Sequence, residues 1–192
     1  RLSVVTFDAQ QEDGVILDIA LSPDGKQLVT TGLDGIIKIW DWQAKTEISE
    51  YDLQSAVAEN MVFSPDGTQL AVATQNFVAM WDIVEGKLDF VLQTGTDTAS
   101  EVLKFSPDGQ LLATAGEKGN MRLWDTETSN IEIELPDIGG TRVAGVFSPD
   151  STLLATTLLG KDASLWNLTD NPEKTVGRAP LNVVSNNLFS VE

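Results

Sequence analysis

Neither histidine nor cysteine occurs in the 192 residues. The first absence removes the side chain that most often acts as a general base near neutral pH, and the commonest transition-metal ligand with it. The second removes disulfides, thiolate nucleophiles and soft-metal sites together. Long apolar runs are also missing. None approaches the ~18 residues that a helical membrane span needs, so no membrane insertion is expected. Positive charge is scarce, with 12 Lys and Arg against 29 Asp and Glu and a net charge of −17. The acidic residues are spread along the chain, and such a field repels phosphate backbones, which argues against nucleic acid as a direct ligand. No segment carries a helical period.

What is present is a repeat. The turn LSPDG at 21 recurs as FSPDG at 63, FSPDG at 105 and FSPDS at 147, which sets Pro23, Pro65, Pro107 and Pro149 at a spacing of 42 residues. A second mark keeps the same beat: IWD at 39, MWD at 80, LWD at 123 and LWN at 165, carrying Trp40, Trp81, Trp124 and Trp166. Self-similarity at such a period signals an array of small supersecondary units.

Each unit can be read from its residues. In S-P-D-G the proline presets φ, Asp suits the next turn position and Gly accepts the positive φ that follows, so the motif predicts a hairpin turn. In the fourth copy Ser151 stands in place of Gly, so either the turn changes type or a left-handed Ser costs about 1 kcal/mol. The runs QLVTTG, QLAVATQ, QLLATAG and TLLATTL are apolar on both faces and predict inner strands covered on both sides. A second turn, at Asp34-Gly35, Gln75-Asn76, Lys118-Gly119 and Gly160-Lys161, leads to the strand ending in Trp. A more polar strand follows, as in KLDFVLQ and NIEIELP, and reads as an outer edge. The second copy is one residue short between Pro65 and Trp81, and the gap falls near Asn76. Four strands per repeat make one antiparallel sheet too small to stand alone, so neighbouring sheets must cover one another.

The SPDG turns and the pairs Trp40-Asp41, Trp81-Asp82 and Trp124-Asp125 resemble the WD-repeat β-propeller family. The resemblance implies an all-β fold, a segment of four-stranded antiparallel blades. Its expected divisions are an outer strand of a preceding blade at 1–13, blades at 14–55, 56–98, 99–140 and 141–180, and the first strand of a following blade at 181–192. Such a segment does not close by itself. Further blades, from the same polypeptide or another chain, are expected to complete it. The family's Gly-His element is missing from every copy, and its turn Asp survives only as Asp34. The usual polar tetrad of His, Asp, a strand Ser or Thr and Trp therefore cannot form in the usual way, which shifts the expected cohesion onto apolar packing.

Chemistry is sparse. LLGKD at 158–162 lacks the upstream glycine of a phosphate loop. DTETSNIEIE at 125–134 lacks the glycine and terminal Glu of a calcium loop. Asp24, Asp66, Asp108 and Asp150 each belong to a turn of a different repeat. Asn167-Leu168-Thr169 is a glycosylation triplet of the kind that arises by chance. Trp42 is the extra tryptophan, free to anchor a partner or to cover its own outer strand. No catalytic, cofactor or metal residue is expected. The resemblance implies a non-catalytic scaffold with protein partners, whose contacts gather on the rim near Asp13, Asp97, Thr141 and Arg142. The alternative is a sensory propeller belonging to a larger signalling ATPase or kinase whose catalytic domain lies outside this chain.

Overall fold

A computed structural model describes residues 15–53, 56–94, 102–116, 121–135, 143–158, 163–169 and 181–182. The outer strand expected within 1–13, all but residues 181–182 of the strand expected within 181–192, and the rim residues Asp13, Asp97, Thr141 and Arg142 lie outside the described residues. Among the described residues the secondary structure is entirely β. The first sheet is formed by β1 (Ile16–Leu21), β2 (Gln27–Gly32), β3 (Ile36–Asp41) and β4 (Thr46–Asp52). The second holds β5 (Asn60–Phe63), β6 (Gln69–Ala73), β7 (Phe77–Asp82) and β8 (Lys87–Gln93). The third holds β9 (Val102–Phe105), β10 (Leu111–Ala115), β11 (Met121–Asp125) and β12 (Ile131–Glu134). The fourth holds β13 (Val143–Phe147), β14 (Leu153–Leu158), β15 (Ser164–Asn167) and β16 (Leu181–Asn182). Each is an antiparallel meander in chain order.

Leu181 and Asn182 pair with Leu165 and Ser164, as the fourth strand of the fourth sheet. This corrects the reading that puts them in the first strand of a following blade. The open edge of β15 offers unpaired backbone groups, and pairing there satisfies them.

Local chemistry explains why the chain folds back where it does. At each SPDG turn the N–H of the fourth residue donates to the Ser carbonyl, at 2.8 Å for Gly25 to Ser22 and 2.9 Å for Gly67 to Ser64, Gly109 to Ser106 and Ser151 to Ser148. Gly25, Gly67 and Gly109 have φ of 70°, 76° and 77°, and Ser151 holds the same left-handed conformation at 60°. The second turn differs as its length predicts. Leu33, Asp34 and Gly35 separate β2 from β3, whereas in the second sheet the Thr74 N–H donates to the Phe77 carbonyl at 2.9 Å and closes a two-residue turn at Gln75-Asn76. Just before each Trp of the first three sheets the register to the outer strand shifts, at Ile39/Trp40, Met80/Trp81 and Leu123/Trp124. Such a bulge increases local twist and re-aims side chains.

The chain forms two compact units, Arg1–Gln93 and Thr94–Glu192. In the first, Val29, Ile37, Ile39 and Leu53 of the first sheet share a buried cluster with Met61, Phe63, Leu70, Val72, Ala79 and Trp81 of the second. The forward face of one sheet thus seals the rear face of the next. The second unit repeats this: Ala113, Ala115, Met121, Leu123 and Ile133 of the third sheet cluster with Phe147, Leu154 and Trp166 of the fourth. Each such Leu, Ile or Phe contributes about 1.5–3 kcal/mol relative to exposure. Neither sheet of a pair buries that area alone.

Candidate interaction surface

The recurrent carboxylates are occupied within their own turns. Asp24 accepts from the Ser22 hydroxyl at 2.8 Å and the Lys26 N–H at 3.0 Å. Asp66 accepts from the Ser64 hydroxyl at 2.6 Å and the Thr68 N–H at 3.0 Å. Asp108 and Asp150 do the same with Ser106 and Gln110, and with Ser148 and Thr152. The Ser oxygen in turn accepts the N–H five residues on, from Gln27, Gln69, Leu111 and Leu153. Donors aimed at a carboxylate favour its charged form. The Lys26 N–H, then the Ser22 hydroxyl, hold Asp24 down at about 2 from an ordinary 3.8. The Ser64 hydroxyl foremost lowers Asp66, and the Ser148 hydroxyl lowers Asp150. At Asp108 burial pushes upward, but the Ser106 hydroxyl and Gln110 N–H outweigh it. These groups are turn locks with pKa values far below those of a neutral-pH acid or base.

The tryptophans are tied from the next strand. Trp40, Trp124 and Trp166 donate their indole N–H to Thr30, Thr114 and Thr156 at 3.0, 2.8 and 2.8 Å. Half of the family's polar tetrad, the Thr-Trp pair, therefore forms inside each of these three sheets without histidine. The signal was present in sequence, since each Thr lies ten residues before its Trp. The second sheet breaks the rule. Leu70 pairs with Trp81 as Leu28 pairs with Trp40, so Val72 occupies the place of Thr30. The buried Trp81 N–H has no hydrogen-bond partner, and its ring instead stacks on Tyr51 of the first sheet, with centroids 4.5 Å apart.

The residue after each Trp caps the turn to the outer strand. Asp41 accepts from the Gln43 and Ala44 N–H groups, Asp82 from Glu85, Asp125 from Glu127 and Thr128, and Asn167 from Thr169. The Asn167 carbonyl oxygen thus does the turn work of Asp. Trp42 is half-buried and donates to the Gly25 carbonyl at 2.7 Å, which ties the first SPDG turn to the end of β3. Two cations sit at equivalent positions two residues before a Trp. Lys38 is buried, 3.2 Å from Glu47 and 5.6 Å from the centre of the Trp40 ring. Arg122 donates to Glu134 at 3.0 Å and to the Thr94 carbonyl at 2.9 Å. Nothing in the strand pattern singled out either residue.

Among the described residues no three His, Cys, Asp or Glu side chains converge as a metal site, and no helix is long and apolar enough to cross a membrane. What the geometry offers is surface: exposed turn tips such as Leu33 and Val84, and an apolar row on β1 formed by Leu17, Ile19 and Leu21.

Residues 2–41 and 92–125 match the family described as WD domain, G-beta repeat. The chain is 25% identical over 178 residues to the Target of rapamycin complex subunit wat1 of Schizosaccharomyces pombe, covering 88% of this chain and 55% of that protein. It is 26% identical over 154 residues to the Apoptotic protease-activating factor 1 of Rattus norvegicus, covering 79% of this chain and 12% of that protein. A chain in the crystal structure of the Mitotic Checkpoint Complex superposes with a TM-score of 0.73 at 21% identity, over 82% of this chain and 51% of that one. The chain thus spans about half the length of the first relative and of the structural neighbour.

Proposed function

Because the chain belongs to the WD-repeat family of β-propeller proteins, we propose that it is a non-catalytic scaffold holding other proteins within a larger assembly. The observation that carries this reading is the internal use of the recurrent polar groups. The Ser-Pro-Asp turns, the Thr-Trp pairs and the Asp or Asn after each Trp direct their hydrogen bonds into their own sheet. Turn tips and rims are left to vary from copy to copy, and on a rigid frame such loops carry recognition. The yeast relative is named as a complex subunit, and the structural neighbour comes from a multiprotein complex. We assign the contact surface to the rim at Asp13, Asp97, Thr141 and Arg142, with further blades of the same polypeptide or another chain completing the propeller.

Affinity capture tests the assignment. Partners held by the native chain are expected to be lost from the double variant Asp13→Lys, Arg142→Glu. An unchanged partner set overturns the rim placement.

One observation favours a second reading. In the rat relative the aligned region is only 12% of a far larger protein, which suits a regulatory propeller attached to a signalling ATPase or kinase. A full-length polypeptide with a phosphate loop or kinase signature beside the repeats decides for it. One built of repeats alone decides for the scaffold.

A further inference from the structure

Five Asp-Gly pairs occur in the chain: Asp13-Gly14, Asp24-Gly25, Asp34-Gly35, Asp66-Gly67 and Asp108-Gly109. The first lies outside the described residues, and the other four share one turn geometry. In each the glycine N–H donates to the carbonyl three residues back. The φ values of Gly25, Gly35, Gly67 and Gly109 are 70°, 74°, 76° and 77°. In each the aspartate also accepts the N–H two residues on, from Lys26, Ile36 and Thr68 at 3.0 Å and from Gln110 at 3.1 Å.

The Asp34 turn lacks three restraints that the SPDG turns possess. Ser22, Ser64 and Ser106 donate a hydroxyl to Asp24, Asp66 and Asp108 at 2.8, 2.6 and 2.6 Å, whereas Gly32 stands at that position before Asp34. Pro23, Pro65 and Pro107 fix φ just before their aspartates. Leu33, 58% exposed, precedes Asp34 and sets no such restraint. The glycine N–H bond is also the longest of the four, 3.2 Å from Gly35 to Gly32 against 2.8 or 2.9 Å in the SPDG turns.

An Asp-Gly pair can close on itself. The glycine nitrogen attacks Cγ of the protonated carboxyl, a C–N bond forms, and the carboxyl hydroxyl leaves with the amide proton as water. Water then opens the five-membered imide. Opening at the side-chain carbonyl restores aspartate, and opening at the main-chain carbonyl gives isoaspartate, whose backbone runs through the β-carbon. Glycine favours the attack because no β-carbon shields its nitrogen. Donors that hold the carboxyl in its charged form, and a glycine N–H committed to a carbonyl, oppose it. We propose that Asp34-Gly35 is the site of isoaspartate formation among these four pairs in the folded protein, and that the Ser hydroxyl and proline of each SPDG turn protect the other three. The added backbone atom lengthens the turn between β2 and β3 and draws the carboxylate off the Ile36 N–H. That turn lies beside the entry to β1, where the Leu33 N–H donates to the Val15 carbonyl at 3.2 Å.

Incubation of the full 192-residue chain at physiological temperature and neutral pH tests it, followed by proteolytic mapping with electron-transfer fragmentation, which separates the two isomers. Isoaspartate is expected to build up at Asp34 about tenfold faster than at Asp24, Asp66 or Asp108, the factor that one hydrogen bond to a charged group is worth. In denaturant the four rates should converge, because the pairs are chemically alike once the turns are gone. Ser64→Ala should speed conversion at Asp66 and leave Asp34 as it was, and the unmoved Asp24 and Asp108 rates in the same sample report that the fold is kept. Equal rates at all four pairs in the folded chain overturn the proposal. So do faster conversion at an SPDG pair, a preference for Asp34 that persists in denaturant, or an Asp66 rate indifferent to Ser64→Ala. The scaffold reading stands or falls separately, on the capture experiment.

Discussion

In the Arg1–Gln93 unit, Ile37 and Met61 share the cluster between two sheets. At the corresponding positions the Thr94–Glu192 unit has Met121 and Gly145, where a β-carbon on the glycine would lie 3.0 Å from the Met121 methyl and 3.5 Å from Val102 Cγ1. The long side chain has changed sides of the junction. In the first unit the rear strand fills the gap, and in the second the forward strand fills it. The polar contacts trade places in the same way. Trp166 of the second unit is bonded to Thr156, whereas Trp81 of the first lacks a partner and stacks on Tyr51. Ser151 reaches across to the neighbouring turn, where its hydroxyl accepts the Asp108 N–H at 3.1 Å. Gly67 in the first unit has no side chain to do so, and its missing β-carbon faces the Pro23 ring at 3.4 Å. A junction of this type therefore demands total volume, tolerates one unpaired indole N–H, and leaves the identity of each side chain secondary.

Substitutions that move side chains between the units test that view. The largest loss should come from Met61→Ala, about 2–5 kcal/mol by equilibrium denaturation, because no residue opposite can refill the space. Gly145→Met should cost about 1–3 kcal/mol by overpacking. Adding Met121→Ile should recover part of that by recreating the Ile37/Met61 pair, and an additive double variant would break the comparison.

The indole contacts should respond in opposite directions. Thr156→Val leaves the Trp166 N–H without a partner and is expected to cost about 1–2 kcal/mol. Val72→Thr offers one to Trp81 and should stabilise the first unit by about 1 kcal/mol. A destabilised Val72→Thr protein would mean that the Tyr51 stack and a bonded indole are incompatible. At Ser151, Ala keeps the left-handed strain and loses the bond, for about 1 kcal/mol. Gly loses both together and should fall within about 0.5 kcal/mol of the native chain in thermal unfolding.

The smallest effect concerns pH. Asp24 in the first unit titrates at about 2 against an ordinary 3.8, and Asp66, Asp108 and Asp150 are lowered too. A carboxyl whose folded pKa is depressed stabilises the fold fully above its unfolded value and loses that contribution as pH falls through the folded one. The turns should therefore weaken between about pH 4 and pH 2. Asp66→Asn should flatten that part of the stability profile, and a slope equal to the native one would show that the turn carboxylates contribute nothing to it.

Apart from β16, the strands, their order within a repeat and the SPDG turns were readable from residue types, and the left-handed Ser151 was one of the two conformations its place in the turn allowed. The forces that shape them act within about five residues, between a Ser hydroxyl and a nearby N–H or through the fixed φ of proline. The one-residue gap in the second copy was equally readable, because a hairpin has to absorb it in a turn. The Thr-Trp bonds were missed although their spacing repeats, because they join side chains across two strands and depend on which face each occupies. Lys38 and Arg122 were missed for the same reason.

The sequence by itself determined the repeating unit, since turn chemistry and strand pattern are local and recur in every copy. Tertiary structure alone decided what each copy does with its faces. Met61 is sealed and Ile19 bare, although both are apolar residues at one repeat position, because burial is conferred by the sheet that lies alongside. Ser151 finds Asp108 forty-three residues away for that reason too: a partner so distant along the chain is supplied only when two sheets pack.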